Sequence, residues 1–178
     1  MNNMLKKTFY IIIFFVLNGC SNAKDIPISL NKNQDNIVAS QVVKCTFDGL
    51  KNTDFCDDEK LKIYQNKINK GLNFDKDKVL IVINKNTTLY NGVPRSLNFI
   101  VVYDPEGERI YPFYQVVGNF VNNRLEEDLS DPALIKYSKD SNKVCLSGTL
   151  FYEGDNDINV EDQCYIFSKK QPDFFKKI

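Results

Sequence analysis

Two residue types are missing from this chain of 178 residues: histidine and tryptophan. Histidine is the side chain whose free pKa lies nearest neutrality, and it is the commonest metal ligand. Its absence excludes Ser-His-Asp and Cys-His catalysis and every histidine-bearing zinc site. Carboxylate-only chemistry survives that exclusion. An excess of either charge is also lacking, with 23 Lys and Arg against 23 Asp and Glu. A balanced chain gives no electrostatic reason to expect nucleic acid or another charged polymer as partner. No internal repeat, heptad, low-complexity block or glycine-rich phosphate loop is present, so no cofactor is expected.

What is present begins at the N-terminus. Lys6 and Lys7 are followed by an unbroken apolar run, Phe9 to Leu17, and then by Gly19 and Cys20. Positive, apolar and small-residue regions in that order form a secretory signal rather than part of a fold. The run is far shorter than the ~20 residues a spanning helix needs. Leu17-Asn18-Gly19-Cys20 resembles the lipobox of bacterial lipoproteins, with Asn18 where Ala, Ser or Thr is usual. The resemblance implies diacylglyceryl transfer to the Cys20 sulfur, cleavage after Gly19 and acylation of the new amine. Several acyl chains hold far more firmly than one, because each buried methylene adds about 0.8 kcal/mol. Ser21 is not the Asp that retains such proteins at the inner membrane. In a two-membrane envelope this implies an outer-membrane protein facing the periplasm.

Cleavage after residue 19 removes two lysines and no acid, leaving 159 residues with 21 basic and 23 acidic side chains. That length suits one domain with a core of its own. The expected organisation is a signal peptide over 1–19, a lipidated cysteine and flexible tether over 20–36, and one domain over 37–178. The tether (Ser21 to Asn36) is polar and rich in Asn.

With Cys20 lipidated, Cys45, Cys56, Cys145 and Cys164 remain. An even number in an oxidising compartment reads as two disulfides, and no Cys-x-x-Cys pair suggests zinc. Four cysteines allow three pairings. A hairpin centred between Gly154 and Asp155 places Cys145 opposite Cys164, within bridging distance. Cys45 then pairs with Cys56 across a short loop.

The domain reads as mainly β. Ile37–Cys45 is β-branched and predicts a first strand. Over 57–72, Leu61, Tyr64, Ile68 and Leu72 recur at helical spacing, with acids opening the segment and Lys67, Lys70 and Gly71 closing it. Ile63 departs from that stripe, so a strand start competes with the helix. Val79–Ile83 is continuously apolar and predicts a strand buried on both faces. Leu97–Tyr103 and Arg109–Val117 flank Asp104-Pro-Glu-Gly-Glu and predict a hairpin, with Pro112 demanding an edge or a bulge. Leu134–Tyr137 and the arms around Cys145 and Cys164 add further strands. Phe174 and Phe175 are placed to dock the tail on the core. About seven short strands and one helix predict an antiparallel β-sandwich or a barrel-like domain.

Candidate sites each carry a plainer alternative. Asp155, Asp157, Asn159 and Glu161 alternate as the start of a calcium loop does. Val160 and Ile166 break the EF-hand pattern, which favours an acidic hairpin turn. Asp57, Asp58 and Glu59 could hold a cation or open a helix. Asp104, Glu106 and Glu108 could supply a carboxylate pair for glycoside chemistry, or be solvated turn residues. Tyr103, Tyr111, Phe113 and Tyr114 cluster about one hairpin. They are either outward anchors for a partner or a two-sided core. No catalytic residue stands out, so a non-enzyme is expected. Architecture alone resembles periplasmic immunity lipoproteins that block secreted antibacterial effectors. An accessory lipoprotein of an envelope assembly is the alternative, followed by a carboxylate-dependent hydrolase.

Overall fold

The structure is a computed structural model and describes residues 36–50, 53–88, 94–122, 124, 126–151 and 157–178. Among these residues the chain forms one α-helix, a single 3-10 turn and one eight-stranded, antiparallel sheet.

The helix, α1 (Asp58–Ile68), forms where the apolar spacing predicts it. Asp57 caps it, its carboxylate accepting the Lys60 amide hydrogen bond at 2.7 Å. Asp58 and Glu59 lie in the first turn and Lys67 in the last, as the helix dipole favours. Gly71, at a φ of +98°, then turns the chain away. Tyr64 and Ile68 form the buried stripe, and the Tyr64 hydroxyl donates to the Phe55 carbonyl at 3.0 Å.

The strands are β1 (Val79–Thr88), β2 (Pro94–Asp104), β3 (Arg109–Pro112), β4 (Val116–Gly118), β5 (Leu134–Tyr137), β6 (Lys143–Phe151), β7 (Ile158–Phe167) and β8 (Phe175–Lys177). The order along the sheet is β1-β2-β4-β6-β7-β8. The segment expected as one strand over 109–117 is broken after Pro112. Proline lacks the amide proton a ladder needs, and Phe113 to Gln115 leave the strand. Thus β3 pairs with the outer end of β2, and β4 pairs with β2 at Leu97 and Asn98. The partner edge of β6 is shared in the same way, by β4 at 149–151 and by β5 at 144–147.

Only β4 therefore joins two halves, β1-β2-β3 and β5-β6-β7-β8. The halves turn toward one another around a core of Leu80, Ile100, Val102, Phe113, Val144, Leu146, Tyr165, Phe167 and Phe175. Phe113 stacks on Phe175 at 4.1 Å between centroids, which ties β8 to the opposite half. The expected mainly β, antiparallel domain with one helix is present, and its sheet stays open, with β1 and β8 as ends, rather than closing into a barrel.

Alternation sends the other face of β1 and β2 to a second core. Val79, Ile81, Ile83, Leu97, Phe99, Val101 and Tyr103 meet Tyr64 and Ile68 of α1, with Ile37, Val42, Phe47, Leu50 and Phe55. The first five residues of β1 are thus covered on both faces, as their unbroken apolar run implies.

The first strand expected over 37–45 does not form. Ala39–Gln41 is a 3-10 turn, and the Gln41 side chain accepts from the Val38 amide at 2.9 Å. A single parallel bridge, Val42 to Ile110, is what remains of strand pairing there. Side-chain capping by Gln41 and Gln65 takes up backbone donors that a ladder would have used.

Candidate functional site

The two disulfides are closed as spacing suggests. Cys45–Cys56 spans an irregular loop with a Cα separation of 5.1 Å. Cys145–Cys164 joins directly opposed residues of β6 and β7, with a Cα separation of 4.0 Å. A bulge between Leu146 and Gly148 then shifts the register by one residue. Gly148 sits there at a φ of +136°, where a side chain would also press on the Gly118 carbonyl oxygen. Cys45, Asp54 and Cys56 lie close enough together to suggest a metal centre. Their sulfurs are bonded to each other, so the thiolates that such a site needs are absent. Cys20 and its neighbours lie outside the described residues.

The aromatic cluster does not form an exposed platform. Tyr103 is 3 % exposed and Phe113 is fully buried. Tyr111 is half-buried and packs on Phe167 and Phe174, at 5.6 and 5.2 Å between centroids. Tyr114 is likewise half-buried, against Phe113 and Tyr165. The break after Pro112 turns Phe113 and Tyr114 inward, so Tyr111, Phe113 and Tyr114 build the core between the halves, while Tyr103 belongs to the helix-side core. The signal that could have separated core from anchor was the tail: Phe174 and Phe175 need partners, and these aromatics are the partners.

The acidic candidates divide: Asp58, Glu59, Glu106 and Glu108 are exposed, whereas Asp104 is not. Asp104 is 1 % exposed and accepts from Lys169 at 2.7 Å, which corrects the reading of it as a turn residue in water. The same hydrogen bond holds the Lys169 ammonium above its ordinary pKa. Glu106, by contrast, is exposed and 3.9 Å from Lys169. Asp57, Asp58 and Glu59 open α1. Burial acts to raise the Asp57 pKa, but hydrogen bonds from the Lys60 side chain and backbone win and hold it below the usual carboxylate range.

Of the calcium-like stretch, residues 155 and 156 lie outside the described residues. Asp157 and Asn159 are already engaged, and Glu161 is exposed. Asp157 pairs with Arg95 at 3.2 Å, the Arg95 side chain being buried and that of Asp157 partly buried. Burial raises the Asp157 pKa, with the Arg95 charge opposing. Asn159 accepts from the Thr149 hydroxyl at 2.6 Å and donates to the Val121 carbonyl at 2.9 Å. Glu127 joins the same end of the sheet by accepting the Ser96 amide at 2.6 Å. Arg95 Nη1 is buried with no hydrogen-bond partner. This polar knot closes the end of the sheet around β4.

Two shallow grooves open on the helix side. One, of about 380 Å³, is lined by Asn36, Ile37, Asp58, Leu61, Lys62 and Gln65. The other, of about 260 Å³, lies between Lys44, Phe47, Leu50, Tyr114 and Asp173. Lys44 is held there by Asp173 at 3.1 Å and lies 4.3 Å from the centre of the Phe47 ring. Neither groove joins a nucleophile to a base, as covalent catalysis requires. Among the described residues, no helix is long and apolar enough to cross a membrane. Compared with known protein families, curated proteins and solved structures, the chain matches none.

Proposed function

We propose that the protein is a lipid-anchored envelope protein whose folded domain binds another protein, with a periplasmic immunity lipoprotein as the best candidate. The observation that carries the reading is the coexistence of Leu17-Asn18-Gly19-Cys20 with two closed disulfides in the domain behind it. Disulfides persist in oxidising compartments such as the periplasm, and the lipobox-like segment addresses the chain to the same place. Asp104, the one buried carboxylate of the candidate acid group, is committed to an ion pair with Lys169, while Glu106 and Glu108 lie exposed outside any cleft, which favours binding over turnover. The proposed mechanism is occlusion of an effector's active site, with the lipid anchor concentrating the inhibitor where the effector arrives.

The test is a competition. A strain lacking the gene is grown with its effector-armed parent, with complementation by the wild-type chain or by Cys20→Ser. Sensitivity rescued by the wild type and weakened rescue by the Ser variant are expected. Normal competition by the deletion strain would sink the immunity reading. Co-purification with several resident envelope proteins would then point to the accessory role.

A further inference from the structure

Each sheet half has two faces, and three of the four are covered. The inner faces meet in the shared core, and the outer face of β1 and β2 lies under α1 and the N-terminal segment. Over the segment paired with β5, the outer face of β5-β6-β7-β8 is covered by no described element. Residues directly opposed in an antiparallel sheet point to the same side, so the pairing gives the content of this face. One row runs Lys136, Cys145, Cys164, and the Ile178 amide bonds to the Cys164 carbonyl at its end. The next row runs Lys143, Ile166, Lys176. Leu134 and Ser147 begin a third.

The chemistry of the face is consistent. Lys136, Lys143 and Lys176 are exposed. Leu134 and Ile178 are 50 and 64 % exposed, and the disulfide and Ile166 lie half-buried between the lysines. Glu161 and Asp162 are the acids at its bulged end, and Asp162 is neutralised by Lys136 at 2.6 Å. Lys143 and Lys176 stand two strands apart, about 10 Å, with Ile166 between them and no described acid paired to either.

We propose that this face rests on a phospholipid surface, its lysines on anionic headgroups and its apolar centre toward the acyl boundary. Charge complementarity selects the occupant. Cores of protein–protein interfaces are depleted in lysine and enriched in aromatics and arginine, whereas these rows hold three lysines, no aromatic and no arginine. Lysine stems suit a membrane boundary, because they lie along apolar surface while the ammonium reaches the headgroups. Lys136 is shared with Asp162, so Lys143 and Lys176 carry most of the attraction, and two such charges hold a domain weakly by themselves. With an anchor at Cys20 keeping the domain near the bilayer, they would set its orientation and leave the helix side, with both grooves, facing outward.

The test uses residues 36–178 in oxidised form. This segment holds both cores and both disulfides, whereas the apolar run Phe9 to Leu17 would itself enter lipid. Failure here leaves the anchor reading untouched. Vesicles of phosphatidylcholine alone are compared with vesicles containing an equal share of phosphatidylglycerol, by co-sedimentation at low and high salt. Binding to the anionic vesicles about tenfold or more tighter is expected, and should weaken as salt screens the charges. The triple variant K136E/K143E/K176E should lose that preference. The variant K62E/K70E/K85E, with the same charge change on other surfaces, should keep it. Because the chain lacks tryptophan, Ile178→Trp supplies a single reporter, whose emission should shift to the blue with anionic vesicles. Val38→Trp, on the helix side, should not shift. Equal loss in both triple variants, equal binding to both vesicles or an unshifted Ile178→Trp would overturn the proposal. An acidic protein would in that case be the better occupant for the same lysines.

Discussion

Asp57 shows how much one side chain can settle here. Its carboxylate caps α1, bonds the Lys60 ammonium and lies at the opening of the only helix among the described residues. Lys60 in turn is buried and donates to the Asp54 carbonyl at 2.7 Å, so the cap also fixes the loop that carries Phe55. Asp57→Ala should lower stability by about 0.5–2 kcal/mol at neutral pH, the usual range for a lost cap. The folded-state pKa lies below the unfolded value of 3.8. The stabilisation is therefore complete above that value and is lost as pH falls through the folded pKa. Denaturant titrations of wild type and variant should show a constant gap from neutral pH down to about pH 5, narrowing at lower pH. A gap that widens on acidification would mean that the carboxylate is not the group involved. At Gly148 the constraint is backbone rather than charge. Gly148→Ala combines a φ of +136° with pressure on the Gly118 carbonyl, so it should lower the urea midpoint by an amount worth more than about 1 kcal/mol.

At the scale of elements, the two disulfides do different work. Cys145–Cys164 staples strands already held by seven register pairs, whereas Cys45–Cys56 staples a segment with no strand ladder. Removing either by double Ser substitution should cost about 2–4 kcal/mol, but the damage should be distributed differently. Hydrogen exchange should speed up in residues 43–56 when Cys45–Cys56 is lost. It should stay slow in the β6 and β7 amides when Cys145–Cys164 is lost, provided the domain remains folded. Equal local exchange in both variants would contradict this assignment. The same contrast explains what was legible in the sequence. The Cys145–Cys164 register, α1, β5 and the 104–109 turn follow from local spacing and turn chemistry, and all are present. The strand expected at 37–45 fails because Gln41 and Gln65 satisfy its backbone, and Gln65 is a tertiary partner 28 residues away. The aromatic cluster was ambiguous because alternation alone cannot say whether a face is covered. The covering residues, Phe167, Phe174 and Phe175, come from the far end of the chain. The uncovered lysine face becomes visible only when register is known, since Lys136, Lys143 and Lys176 are scattered in sequence.

For the molecule as a whole, the decisive feature is that β1 and β2 form a wall common to both cores. Odd positions such as Val79, Ile81, Phe99 and Val101 serve the helix side, while Leu80, Ile100 and Val102 serve the space between the halves. Neither core can lose its packing without disturbing the strands that support the other. Unfolding should therefore be one cooperative transition, as small single domains usually show. Phe55→Ala in the helix-side core and Phe113→Ala between the halves each remove a fully buried ring. Each should cost about 3–5 kcal/mol, and each should move the whole transition rather than part of it. Near-ultraviolet circular dichroism, dominated by tyrosine, phenylalanine and the disulfides in a chain without tryptophan, reports packing in both cores. Far-ultraviolet signal reports the sheet. Coincident urea transitions by the two probes are expected for both variants, with midpoints lowered and slopes unchanged. If Phe55→Ala instead separates the probes, so that the aromatic signal of the helix side is lost while the sheet persists, α1 and the N-terminal segment are an independently melting layer. The shared wall would then not couple the two cores.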